Sequence, residues 1–205
     1  MIKAVGTFIA GEEHTFRTEA YLKWGESEEP LGTILMLNPG ASVLKEKEIQ
    51  KDIKTTGEIS IDPTMKTLIE IVEELYKDKD EIQGKLMIYN IFPIRNANSQ
   101  EAIKQFELLW NKGNDLIRNF PKDREVLLEE LKKSPWILIG WGCLNNTETL
   151  ELMKIRWLTL ITESKIPILA KRGKDKLSYY HPKPMLKSNR VEYRKEIRRQ
   201  FELIN

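Results

Sequence analysis

The chain predicts a three-layer α/β/α sandwich around a central, mostly parallel sheet. Three observations carry that prediction. Mostly uninterrupted apolar runs at residues 31–37, 86–92, 136–140 and 166–170 read as strands buried on both faces. The stretches between them place apolar residues at helical spacing. Strands alternating with helices through short connections favour crossovers of one handedness, with helices on both faces of the sheet.

The elements follow in order. Residues 15–24 alternate loosely between apolar and polar, which suits an edge strand with one wet face. Residues 26–30 form a polar turn and residues 31–37 a buried strand. Residues 38–61 are mostly polar and read as a long loop. Asp62-Pro63-Thr64 opens a helix: the carboxylate can cap free amides, and proline suits the first helical position. Leu68, Ile71, Val72 and Leu75 then recur on one face to about Tyr76. A strand over 86–92 precedes helices at 100–110 and 124–132. The strand at 136–140, a helix over 147–163 and the strand at 166–170 complete the alternation. Asn189-Arg190-Val191-Glu192 has the form of a capping box opening a last helix, with Val191, Ile197, Phe201 and Leu203 partly on one face.

A chain of 205 residues fits a single domain, 1–205, with a substantial core. Hydrophobic residues at 40% and charged residues at 31% describe a globular chain rather than a disordered one. No apolar run approaches the roughly 20 residues that span a bilayer, and no signal peptide opens the chain. A single cysteine, Cys143, excludes an internal disulfide. A cytoplasmic location is the simplest expectation. The net charge of +2 conceals an asymmetry: residues 165–199 hold twelve Lys/Arg and three Asp/Glu, a local +9 that leaves −7 for the remainder. Such a basic region fits a phosphate-bearing partner, and equally a solvated helix end rich in lysine and arginine.

Four strand ends carry polar or glycine-bearing segments. The first gives Leu37-Asn38-Pro39-Gly40, the second Asn90-Ile91-Phe92 followed by Arg95 and Asn96, and the third Trp141-Gly142-Cys143. The fourth leads through a basic loop to His181-Pro182-Lys183-Pro184-Met185. Ligand sites in open α/β sheets gather outside the carboxyl ends of strands, so these loops are candidates to share a pocket. Asn38 can hold a water or a carbonyl, and Gly40 allows close backbone approach; an Asn-Pro turn explains the same residues without a ligand. Asn90 can read a planar edge through paired donor and acceptor, or bond its own turn. Arg95 can meet a phosphate. His181, one of two histidines, stands in a stiff proline loop where neighbouring cations favour its neutral form. Asp62 and Glu58 are possible acids or bases, although capping accounts for Asp62. Cys143 reads as a small hydrophobe. No metal spacing, dinucleotide fingerprint, P-loop or nucleophile elbow is present, so neither a metal nor a cofactor is expected.

In this order, Leu-Asn-Pro-Gly (37–40), Asp-Pro-Thr (62–64), Asn-x-Phe (90–92), Trp-Gly (141–142) and His-Pro (181–182) resemble a bacterial and phage domain family of unknown function, over about residues 16–188. The set resembles the uracil-DNA glycosylase superfamily more distantly. That resemblance implies a glycosylase-like fold whose pocket takes a nucleobase, a nucleotide or DNA, with the basic C-terminal region along the backbone. Asn38 would position an attacking water and Asn90 would read the base. His181 would stabilise the departing base anion. Leu37, Pro39, Gly40, Phe92, Arg95, Trp141, Gly142 and Lys183 would complete the pocket, and Met185 would be the wedge that fills the gap left by a flipped base. The chain departs from the superfamily in having no aspartate in the first motif and Lys183 after His-Pro in place of serine. Three readings follow: hydrolysis of an N-glycosidic bond; a non-catalytic protein that sequesters a nucleotide-derived signal, as a phage counter-defence protein would; or a structural or interaction role with a vestigial pocket.

Overall fold

The computed structural model describes residues 2–46, 48–121, 123–144 and 147–204. Its strands are β1 (Ile2–Ala10), β2 (Thr15–Trp24), β3 (Pro30–Met36), β4 (Thr55–Glu58), β5 (Gly84–Asn90), β6 (Ile137–Ile139) and β7 (Ile168–Ala170). Its helices are α1 (Pro63–Leu75), α2 (Ser99–Asn111), α3 (Asp115–Arg118), α4 (Arg124–Lys133), α5 (Glu148–Ser164) and α6 (Lys187–Glu202). The strands form one sheet in the order β4-β1-β2-β5-β3-β6-β7.

The sheet is mixed rather than mostly parallel. β5, β3, β6 and β7 are parallel neighbours, whereas β4, β1 and β2 extend the sheet antiparallel from β5. β2 is therefore an interior strand and not an edge. β1 covers it along its whole length through a hairpin closed by the Gly11 amide on the His14 carbonyl. β4 arises inside the stretch expected to be a loop; its polar residues suit an outer strand that offers one edge to solvent. The last helix also begins earlier than the capping-box pattern implies. Leu186 is its N-cap and makes no side-chain cap bond, so Asn189 lies within the first turn.

α1 starts where the sequence places it, with Asp62 Oδ1 accepting the amides of Thr64 and Met65 at 2.8 Å each. Its apolar stripe packs with Tyr193, Ile197 and Phe201 of α6 on one face of the sheet, against Leu22, Ile34, Leu86 and Ile88. The other face carries α2 to α5, whose Phe106, Leu131 and Trp157 meet Leu35, Ile137 and Ile139. Each fully buried aliphatic or aromatic side chain on these faces contributes about 1.5–3 kcal/mol relative to exposure.

One irregularity in β2 matters for function. Thr7 pairs with Glu19 and Phe8 with Arg17, so Thr18 is an extra residue and forms a bulge. The bulge reverses the alternation. Phe16 joins the α2–α5 face, whereas Arg17 turns to the face of Ala20, Leu22 and Trp24, under α1.

The centre of the sheet is packed to contact. A Cβ on Gly32 of β3 would lie 2.2 Å from the Trp136 ring. That ring is fixed by its indole N–H on the Tyr76 hydroxyl (3.1 Å), which itself donates to the Leu31 carbonyl (2.6 Å). Gly32→Ala is expected to destabilise the fold by about 1–3 kcal/mol, seen as a lower urea midpoint at unchanged slope.

Candidate functional site

A cavity of about 420 Å³ opens at the carboxyl ends of β3, β5 and β6. That is within the usual range for a small-molecule site. The residues that line it come from β2 (Arg17), the loop after β3, the start of α1, the ends of β5 and β6, the segment 96–99 that leads into α2, and the loop bearing His181. Leu37, Asn38, Gly40, Asn90, Trp141, Gly142 and His181 are all brought together there, as the sequence suggests.

Asn38 is held by its amide nitrogen, which donates to the carbonyls of Pro39 and Asn96 at 2.8 Å each. Two carbonyl partners fix which end is nitrogen, and the amide oxygen meets no donor among the described residues. Pro39 is buried and its carbonyl also accepts the Asn96 amide (3.0 Å), which ties the first loop to the loop after β5. A Cβ on Gly40 would come within 3.0 Å of Asp62 Oδ2, so glycine allows that carboxylate to lie over the loop. Asp62 thus caps α1 with one oxygen and borders the cavity with the other.

His181 is partly buried, and its Nδ1 accepts the Lys183 amide at 3.0 Å. An imidazole nitrogen that accepts carries no proton, so the neutral ring is protonated at Nε2 and donates there. Burial lowers the pKa below its ordinary value, and the Lys183 charge pushes the same way; Asp62 opposes. The loop is seated closely: a Cβ on Gly140 would fall 2.6 Å from Pro182 Cδ. Trp141 is buried, donates its indole N–H to the Leu177 carbonyl (2.7 Å) and packs edge-on against Tyr179. Gly142 takes φ +89° and donates to the Tyr179 carbonyl (2.7 Å), a backbone form suited to glycine.

Five expected site residues do not line the cavity: the buried Pro39 already described, and four others. Phe92 is fully buried and stacks on Phe106 with ring centroids 4.6 Å apart, a core role imposed by the α2 face on which it points. Arg95 donates Nε to the Ser42 carbonyl and a terminal N–H to the Ala41 carbonyl, both at 2.8 Å, so it shapes the first loop and does not line the cavity. Lys183 contributes its backbone amide to His181, and its side chain is not in the lining. Met185 is 94% exposed beyond the cavity, on a loop propped by Arg190 through the Pro184 carbonyl. The basic region is partly neutralised: Arg194 pairs with Glu70, Arg198 with Asp78 and Glu202, and Arg199 with Glu196.

Sequence reasoning missed Arg17. It is only 4% exposed, donates to Ser42 Oγ (2.6 Å) and Asn90 Oδ1 (3.4 Å), and makes no salt bridge among the described residues. Burial pushes its pKa down to about 10; Asp62 opposes the shift and Arg95 adds to it. A cation within an alternating strand reads as solvated, and only the bulge reveals otherwise. Among the described residues no group of three or more His, Cys, Asp or Glu is placed to hold a metal ion, and no helix is long and apolar enough to cross a membrane. Comparisons with models of protein families, with curated proteins and with solved structures return no match.

The lowered His181 pKa fixes the sign of a pH effect. The unfolded chain protonates this ring near pH 6.5, whereas the folded protein resists the proton. Stability therefore falls as pH drops below about 6.5, and above that value this residue adds no pH dependence. The unfolding free energy of the parent, relative to His181→Gln, is expected to be constant between about pH 7.5 and 9. It should decline from about pH 6.5 to 5 in urea titrations.

Proposed function

We propose that this cavity recognises the base of a nucleotide or of DNA, and that Asn38 and His181 are arranged for hydrolysis of an N-glycosidic bond in a glycosylase-like fold. The observation that carries the reading is the His181 imidazole, neutral and held by a backbone amide so that Nε2–H is the donor left for the cavity. A neutral donor fixed in advance stabilises an anion that develops on a departing base, and it needs no reorganisation during the reaction. Asn38 supports the same reading, because its amide is oriented by two carbonyls and its oxygen remains to place a water. The exposed Met185 and Leu186, on a loop braced by Arg190, have the apolar character of a wedge that supports an unstacked duplex step.

A second reading rests on a specific feature. An amide oxygen is a weak base, and the segment 37–42 carries no carboxylate of its own. Binding of a nucleotide without turnover uses the same cavity and the same donors.

The readings separate by product. The protein is to be incubated with uracil-containing, mismatched and modified-base DNA and with free nucleotides, and released base measured by chromatography. Hydrolysis predicts base release that falls by roughly 100-fold or more in Asn38→Ala and in His181→Ala. Recovery of an intact nucleotide from the denatured protein, with no release from any substrate, rejects hydrolysis and supports binding. Undiminished binding after both changes rejects the cavity as the site.

A further inference from the structure

Arg17 and Asn90 line the same cavity, each is 4% exposed, and each keeps a buried N–H without a hydrogen-bond acceptor: Nε of Arg17 and Nδ2 of Asn90. Buried donors are nearly always satisfied, and an orphan costs the full desolvation of the group. Two such donors on touching side chains in one cavity point to a ligand that supplies the acceptors. Their mutual contact sets the polarity. Arginine can only donate, so the Asn90 atom that meets it at 3.4 Å is the oxygen. That oxygen is turned to the guanidinium, and the Asn90 atom left without a partner is its amide nitrogen. The paired donor–acceptor reading expected of a lone asparagine is therefore replaced by a donor-only wall, and the guanidinium gives that wall a positive charge with no carboxylate in salt-bridge range among the described residues.

The acceptors lie on a different part of the rim. Asp62 uses Oδ1 on the start of α1, and its Oδ2 lies over Gly40. Asn38 leaves its amide oxygen.

A uracil edge alternates acceptor, donor and acceptor, and an adenine edge presents N7 beside the N6 donor. Cytosine has adjacent acceptors at N3 and O2, but they share their edge with the N4 donor; guanine presents O6 and N7 together on an edge free of donors, with donors at N1 and N2 on another. We propose that the Arg17–Asn90 wall selects a guanine-type base through its O6 and N7 acceptors. The proposal rests on the nucleobase reading of the cavity and assigns its base class.

Calorimetric titration of the full chain with GMP, 7-deaza-GMP, AMP and UMP tests it. All four carry one phosphate, so a site that holds only the phosphate binds them alike. GMP is expected to bind at least tenfold more tightly than AMP or UMP, and 7-deaza-GMP, which lacks the N7 acceptor, to lose about tenfold relative to GMP. Asn90→Asp separates recognition from folding. The new carboxylate gives Arg17 a salt-bridge partner, so the thermal midpoint should hold or rise, while GMP affinity falls at least tenfold. UMP or AMP binding as tightly as GMP overturns the guanine assignment and leaves the nucleobase reading in place, as does a folded Asn90→Asp that binds GMP normally. Absence of binding by all four nucleotides overturns the guanine assignment and the recognition of free nucleotides together. If Asn90→Asp does not fold, the four-ligand comparison alone decides.

Discussion

Strand β3 is hydrogen-bonded along both edges and buried on both faces, and everything near the cavity follows from how the chain leaves it. From β3 the chain travels through β4 and α1 to β5 on one side, then through α2, α3 and α4 to β6 on the other. Crossovers of one handedness that move in opposite directions must use opposite faces of the sheet. That is where the helices lie: α1 packs on one core and α2 to α4 on the other. The loops leaving the end of β3 and of its neighbours therefore diverge, and a crevice is left between them. Asn38, Asn90 and Trp141 come together because they follow three adjacent parallel strands. β7 adds the fourth, and the long segment after it returns to bring His181 over the end of β6.

The antiparallel half of the sheet contributes to this crevice through one charged residue. A cation that reaches a cavity from the body of a strand must be on the correct face, and the Thr18 bulge supplies the half-turn that puts Arg17 there. Its burial is unfavourable to the charge, as the depressed pKa records. Ser42 and Asn90 return part of the lost solvation, and Asp62 returns part through space. The guanidinium also joins β2 to the loop after β3 and to the end of β5, so the antiparallel extension is mechanically coupled to the site and is more than a cover for its edge.

These relations explain what could be read from the sequence. Strands covered on both faces are largely apolar, so β3, β5 and β6 stand out as runs; helix α1 declares itself through Asp62 and Pro63. The loops at the strand ends follow, and with them most of the cavity's lining. Position within the sheet is a different matter. Alternation in β2 marks one face as more polar, but it carries no information about whether a neighbour pairs with the strand's edge, and β1 does. β4 has no apolar signature because its hydrogen bonds to β1, not its side chains, hold it in place. Phe92 and Asn90 are two residues apart at a strand end, where the backbone leaves the regular pleat; the period-2 rule that would place them on one face fails there, and Phe92 goes to the opposite core. Arg17 was hidden for a related reason, since a bulge changes face without changing composition.

The polar groups around the cavity share one design. Each commits one end to the protein and keeps the other. Asn38 gives its nitrogen to two carbonyls and keeps its oxygen; Asp62 gives Oδ1 to α1 and keeps Oδ2. His181 takes a backbone amide at Nδ1 and keeps Nε2–H, while Asn90 takes Arg17 at its oxygen and keeps its nitrogen. An amide or imidazole free to rotate would present donor or acceptor as the ligand demanded and would pay for ordering on binding. Here the protein has already made that choice, so donors and acceptors are fixed in place before any ligand arrives. Preorganisation of this kind strengthens discrimination more than it strengthens attraction, because a ligand with the wrong edge meets like poles that cannot turn away. Under the proposed function, the same rigidity would serve an anion developing on a leaving base and a nucleotide merely held. The shape of the cavity is thus common to both, and the difference between them rests on whether the oxygen of Asn38 holds a water or is covered by the ligand itself.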